Sequence, residues 1–150
     1  MLELYAAGEE ADWLASFRFG VEVRPRYCEI DGLGHVSNTV YSAYLEFGRL
    51  QYFEAAQDPE PGPFAFAHVT AELHLRYLAP CYYDEPLRIV SKLVMLGRSS
   101  ATMEQAMVGS RDTLRATARI SVVRLGGLDS RGWSEAQRAA LFAFEPNLPR

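Results

Sequence analysis

Arg26-Tyr27-Cys28-Glu29-Ile30-Asp31-Gly32-Leu33-Gly34-His35-Val36-Ser37-Asn38-Thr39-Val40-Tyr41 is the stretch on which the reading of this chain turns. It places an acid, two glycines, a histidine and an asparagine directly ahead of a helical pattern. Aspartate and glycine are turn formers, so residues 31–34 read as a tight turn. Beyond it Tyr41, Tyr44, Leu45, Gly48 and Tyr52 recur at helical spacing and form one stripe, which predicts a helix over 38–57. Ser37 or Asn38 can cap its start. Asp58-Pro59-Glu60-Pro61-Gly62-Pro63 stops it. Gly48 in mid-helix is unfavourable by about 1 kcal/mol against alanine. Close approach of the helix to a sheet is the usual compensation.

Outward from the helix, the remainder reads as sheet. On the N-terminal side Phe17, Phe19, Val21 and Val23 alternate with polar residues until Pro25, a half-buried strand. On the C-terminal side Val69, Ala71, Leu73, Leu75 and Tyr77 alternate with Thr70, Glu72, His74 and Arg76. Three more strands follow at 87–96, 100–108 and 114–125, separated by Gly97 and by Gly109-Ser110-Arg111-Asp112. A short amphipathic helix over 134–144 closes the sequence. One strand, one long helix, then four consecutive strands predicts an α+β fold, an antiparallel sheet wrapped around a central helix. A chain of 150 residues suits one domain over 1–150, its core at about 17–125. The layer has an open sheet edge, which a second subunit would cover.

Composition excludes several classes. The formal net charge is −4, whereas nucleic-acid binders carry a basic surplus. Cys28 and Cys81 make neither a disulfide framework nor a CxxC metal pair. No apolar run reaches membrane-spanning length, and the acidic N-terminal stretch lacks a basic leader pattern. The expectation is a reduced cytoplasmic protein with no membrane or nucleic-acid partner.

The chemistry sits in the turn before the long helix. A helix N-terminus offers unsatisfied backbone N–H groups and a positive dipole end. A carboxylate beside it can attack a carbonyl or deprotonate water while those N–H groups hold the oxyanion. Thioesters suit this, since a thiolate leaves with little help from a general acid. The stretch resembles the 4-hydroxybenzoyl-CoA thioesterase-like branch of the hotdog superfamily, whose members often carry D-x-x-G-H-V-N-N-x-x-Y between the first strand and the central helix. Here Asp31 to Tyr41 fill that pattern with Ser37 in place of the commoner asparagine, and Tyr44, Glu46 and Arg49 continue it. Tyr77-Leu78-Ala79-Pro80 matches the family's Y-x-x-P segment.

The resemblance implies an acyl-CoA or acyl-carrier-protein thioesterase of hotdog fold, working as a homo-oligomer, dimer or tetramer. It makes Asp31 the catalytic carboxylate, as nucleophile or general base, and the Asn38 N–H the oxyanion donor, with His35 shaping the site. Tyr41 and Tyr44 are candidates to line the acyl pocket, and Arg98, Ser99 and Ser100 to hold coenzyme A phosphates. No metal and no cofactor is implied, coenzyme A being part of the substrate. Each residue also has a structural reading. Asp31 can be a turn aspartate, the tyrosines core, and Arg98 a solvated loop arginine. Glu46 and Arg49 pair at helical spacing, and Glu46 is the second candidate catalytic acid. Two other functions stay open, a hotdog hydratase and a non-catalytic acyl-ligand binder. The hydratase pattern has four residues between its aspartate and histidine, whereas three separate Asp31 from His35.

Overall fold

A computed structural model of the chain describes residues 7–60, 62, 64–125 and 132–150. Pro61 and Pro63 of the expected helix-stopping run lie outside the described residues. The elements are α1 (Ala7–Ala15), β1 (Phe19–Val23), α2 (Asn38–Ala56), β2 (His68–Tyr77), β3 (Leu87–Leu96), β4 (Ser100–Val108), β5 (Leu114–Arg124) and α3 (Glu135–Phe144). The five strands form one antiparallel sheet in the order β1-β3-β4-β5-β2. α2 lies across it as the central helix of a hotdog fold, packed on β1, β3 and β4.

The stripe expected on the long helix is the buried one. Tyr41, Tyr44, Leu45, Gly48, Arg49, Tyr52, Phe53 and Ala56 face inward, an i, i+3, i+4 progression along one side. Gly48 marks the closest approach. A Cβ built there would lie 2.4 Å from Cγ2 of Ile89 on β3. Leu45 is pinned from the sheet as well, its carbonyl accepting from Nε2 of buried Gln105 at 2.9 Å. The helix ends at Gln57, which turns left-handed at φ 58°. Asp58 then accepts from the Phe66 N–H at 2.6 Å and from Gln137 of α3, tying the exit loop to the C-terminal helix.

Two expectations about faces are corrected. The alternation groups Phe17 with Phe19, but β1 begins at Phe19. Phe17 instead joins Trp13 and Leu14 on the opposite face of the sheet, over Val90, Ala106, Val108 and Leu114. That second cluster is covered by α1, which the sequence pattern did not disclose. Trp13 Nε1 donates to Glu104 at 2.9 Å, and Lys92 Nζ donates to Ser16 Oγ at 2.6 Å.

β2 also departs from the expected pattern. Its register against β5 shifts between Thr70 and Glu72, so Ala71 is an extra residue in the ladder. Thr70 lies opposite Val122 and Leu73 opposite Ile120, both core residues, whereas Val69 lies opposite Val123 on the outer face. The single apolar row of 69, 71, 73, 75 and 77 is therefore broken. His68 and Thr70 face the helix, against Phe53 and Arg49, and His74 faces away beside Glu72. β2 is also one of the sheet's two edge strands, β1 being the other, with Val69, Leu73 and Tyr77 exposed along it.

Candidate active site

Asp31 sits in a small irregular hairpin. Ile30 and Val36 form an antiparallel bridge, the Asp31 N–H donates to the His35 carbonyl at 2.8 Å, and the Gly34 N–H donates back to the Asp31 carbonyl at 3.0 Å. Gly34 takes φ +81°, which an L side chain adopts only under strain. The Asp31 carboxylate shapes this turn, its Oδ1 accepting from the Leu33 N–H at 2.8 Å and the His35 N–H at 3.4 Å. The turn-forming reading of Asp31 thus holds for one oxygen. Among the described residues no donor reaches Oδ2, and the residue is solvent-exposed.

The hairpin is fastened to the start of α2. The Ser37 N–H donates to the Glu29 carbonyl at 2.8 Å and the Val36 N–H to the Cys81 carbonyl at 2.9 Å. Ser37 is the N-cap, but its hydroxyl contacts Thr39 Oγ1 and caps no backbone N–H. The N–H groups of Asn38 and Thr39 consequently have no acceptor among the described residues. Tyr77 of the Y-x-x-P segment closes the other side, its hydroxyl donating to the Asn38 carbonyl at 3.1 Å. His35 packs edge-on against Tyr82, ring centroids 5.4 Å apart. Asp31, His35 and Asn38 are thus brought together, with exposed Tyr77 of the second matched segment beside them and exposed Tyr82 as a neighbour neither motif named.

Tyr41 and Tyr44 lie inside this chain's own core. The Tyr41 hydroxyl accepts from the Cys81 N–H at 3.3 Å, anchoring the helix to the 79–81 segment. The Tyr44 hydroxyl donates to Glu29. Burial raises both phenols, and the Tyr44 proton is further held by the Glu29 carboxylate. Burial also pushes the Glu29 carboxyl up, but hydrogen bonds from the Arg26 side chain and backbone and from Tyr44 outweigh it and hold it below the usual range. Glu29 is therefore a brace between the loop and the helix. Cys28 is exposed, and Cys81 is fully buried with its thiol pushed up by that burial.

Arg98, Ser99 and Ser100 occupy the β3–β4 hairpin, bridged by the Trp133 N–H to the Arg98 carbonyl at 2.8 Å. This hairpin is at the end of β3 opposite to Asp31. The Asp31 loop touches Cys81 and Tyr82, ahead of Leu87, while the hairpin follows Leu96. The length of a strand, about 30 Å here, separates them within one chain. Among the described residues no group of three or more His, Cys, Asp or Glu is placed to hold a metal ion.

Residues 23–141 match the thioesterase-like superfamily. The chain belongs to that superfamily. A crystal structure of a Thermus thermophilus thioesterase complexed with coenzyme A and Zn is similar at 28% identity and TM-score 0.79, over 89% of this chain and 98% of that one. A thioesterase-superfamily protein of Jannaschia sp. CCS1 is similar at 28% identity and TM-score 0.77, over 89% and 87%. The DHNA-CoA thioesterase of Staphylococcus aureus, at 16% identity and TM-score 0.67 over 87% and 95%, shares the fold. No curated protein sequence matches the chain. No described helix is long and apolar enough to cross a membrane.

Proposed function

We propose that this superfamily member hydrolyses the thioester of an acyl-CoA or acyl-carrier-protein, with Asp31 as the catalytic carboxylate. The observation that carries the reading is the placement of Asp31 in a rigid turn fastened to the start of α2, where the Asn38 and Thr39 N–H groups are free. The carboxylate attacks the thioester carbonyl, giving an anhydride that water hydrolyses once the thiolate has left, or it draws a proton from the water that itself attacks that carbonyl. The helix N-terminus takes up the charge that develops on the carbonyl oxygen. The thiolate then leaves and is protonated by solvent. His35, held against Tyr82, stands on the loop side of Asp31.

The same reading includes a homo-oligomer. β2 presents an unpaired edge with exposed Val69, Leu73 and Tyr77, while Phe47 and Leu50 stand exposed on α2. Such an edge is satisfied by pairing with a second copy. If Arg98, Ser99 and Ser100 hold a coenzyme A phosphate, they serve the Asp31 of another chain, because their own lies a strand's length away.

The test is thiol release from a panel of aromatic, short, medium and long acyl-CoAs, repeated with Asp31→Asn. Asparagine keeps the volume and turn propensity of aspartate but can neither attack nor accept a proton, so turnover should fall by about 10²–10⁴-fold. Calorimetry with a non-hydrolysable acyl-CoA should show binding retained. Normal turnover in Asp31→Asn, with a dead but folded Glu46→Gln, would move the carboxylate onto α2.

A further inference from the structure

Among the described residues, one buried cationic side chain stands without adequate compensation. Arg49 points inward from the middle of α2 and is 6% exposed. Its Nη2 donates to Thr70 Oγ1 at 3.0 Å, but its Nε is buried with no acceptor. The nearest carboxylate, Glu46, stands 4.0 Å away with its own side chain 63% exposed, so most of its charge is spent on water. Also beside it is His68, whose protonation is disfavoured by burial and by the guanidinium, and which offers no negative charge in either form. A guanidinium withdrawn from water needs a close, hydrogen-bonded anion, and Glu46 at that distance is a poor one.

The guanidinium borders a pocket of about 260 Å³. Leu45, Ala43 and Leu73 supply apolar walls, while Arg49, Thr70 and Glu46 gather the polar groups. Thr70 reaches this side only because Ala71 bulges out of the ladder. Apolar walls beside a planar fork of donors match an aliphatic chain that ends in a carboxylate. We propose that Arg49 and Thr70 anchor a carboxylate at the far end of the acyl group, making carboxylated acyl thioesters the preferred substrate class. This rests on the thioester-hydrolase reading. Arg49 lies about 16 Å along α2 from Asn38 of its own chain, which calls for a long spacer, whereas a partner's Asp31 could be served by a shorter one.

The experiment uses the full chain and free acids as probes. Calorimetry compares succinate, glutarate, adipate and longer dicarboxylates with their neutral diamides of matched length, and the corresponding carboxylated acyl-CoAs are assayed for thiol release beside unsubstituted ones. Dicarboxylates should bind about tenfold or more tightly than their matched partners, as one charge-assisted contact allows. Arg49→Lys should remove most of that preference. Because a change at a buried arginine can unfold the chain, two neighbours carry the test independently. Thr70→Val should weaken dicarboxylate binding several-fold, and Glu46→Gln, which removes a competing anion, should strengthen it. Equal affinity for the dicarboxylates and their diamides, or indifference to Thr70→Val and Glu46→Gln, overturns the anchor. Dicarboxylate binding without hydrolysis of any acyl-CoA upholds the anchor and overturns the hydrolase. Hydrolysis with no preference for carboxylated acyl groups does the reverse.

Discussion

Replacing Gly48 by alanine should destabilise the fold although it improves the helix. In an exposed helix the substitution would gain about 1 kcal/mol. Here the new methyl would lie 2.4 Å from Ile89 Cγ2 and 3.3 Å from Gln105 Nε2. Carbon atoms pack best at about 3.5–4.0 Å, so more than an ångström of movement is required. Ile89 cannot supply it cheaply. It is fully buried and sits on a strand paired on both sides, opposite Val21 on β1 and Met107 on β4. Overpacking of a close-packed core costs about 1–3 kcal/mol, and this overlap belongs at the upper end. The net expectation is a loss of about 2 kcal/mol after subtracting the helix gain. Urea unfolding followed by far-UV circular dichroism should show a lower midpoint at unchanged slope. Ile89→Ala alone should cost about 2–5 kcal/mol, and the double variant should be more stable than the sum by at least about 0.5 kcal/mol, since one change vacates the space the other needs. A Gly48→Ala chain as stable as the parent, or strictly additive behaviour, would show that α2 does not ride on Ile89.

Gly34→Ala should cost about 1–2 kcal/mol, because φ +81° places an L side chain in the left-handed region, and it should lower turnover more than stability by disturbing Asp31. Glu145 is buried against the Tyr52 hydroxyl at 3.0 Å, and burial raises its carboxyl above the usual range. The folded chain therefore holds that proton more tightly than the unfolded one; the contribution is fully present below the unfolded value and is lost as pH rises through the folded one. Glu145→Gln should melt higher than the parent at neutral pH, with the gap closing toward about pH 4, the unfolded range of a glutamate. Tyr52→Phe, which removes the phenol's hydrogen bond to that buried carboxylate, should cost about 1–3 kcal/mol in denaturant unfolding. A chain lacking the first 16 residues uncovers Val90, Ala106, Val108 and Leu114, and should bind a hydrophobic dye and associate in light scattering into species larger than the full chain forms.

What was legible followed from strength of local pattern. β3 and β4 begin and end where Pro86, Gly97 and Gly109 punctuate the sequence, and the buried stripe of α2 is continuous over four turns. The gathering of Asp31, His35 and Asn38 was also legible, because a turn joined to a helix start is fixed by neighbours in sequence. The bulge at Ala71 left no trace, since apolar and polar residues keep alternating through it while the faces exchange. α1 was hidden because Phe17 continues the alternation of β1 on paper but belongs with Trp13 on the far side of the sheet. The partnership of Arg49 with Thr70 joins residues 21 apart and depends on that bulge. Tyr41 and Tyr44 fall on the buried stripe, their hydroxyls bonded to the 79–81 segment and to Glu29.

The separation of the Asp31 loop from the Arg98 hairpin has a genetic consequence. If each reaction centre draws its acid from one copy and its phosphate contact from another, lesions at the two places belong to different complementation groups. A symmetric dimer of Asp31→Asn chains has no working centre, and one of Arg98→Ala chains has two impaired ones. A mixed dimer concentrates both lesions in one centre and leaves the other wholly intact. Random mixing makes half the dimers mixed, so about a quarter of all centres would be restored from two defective parents.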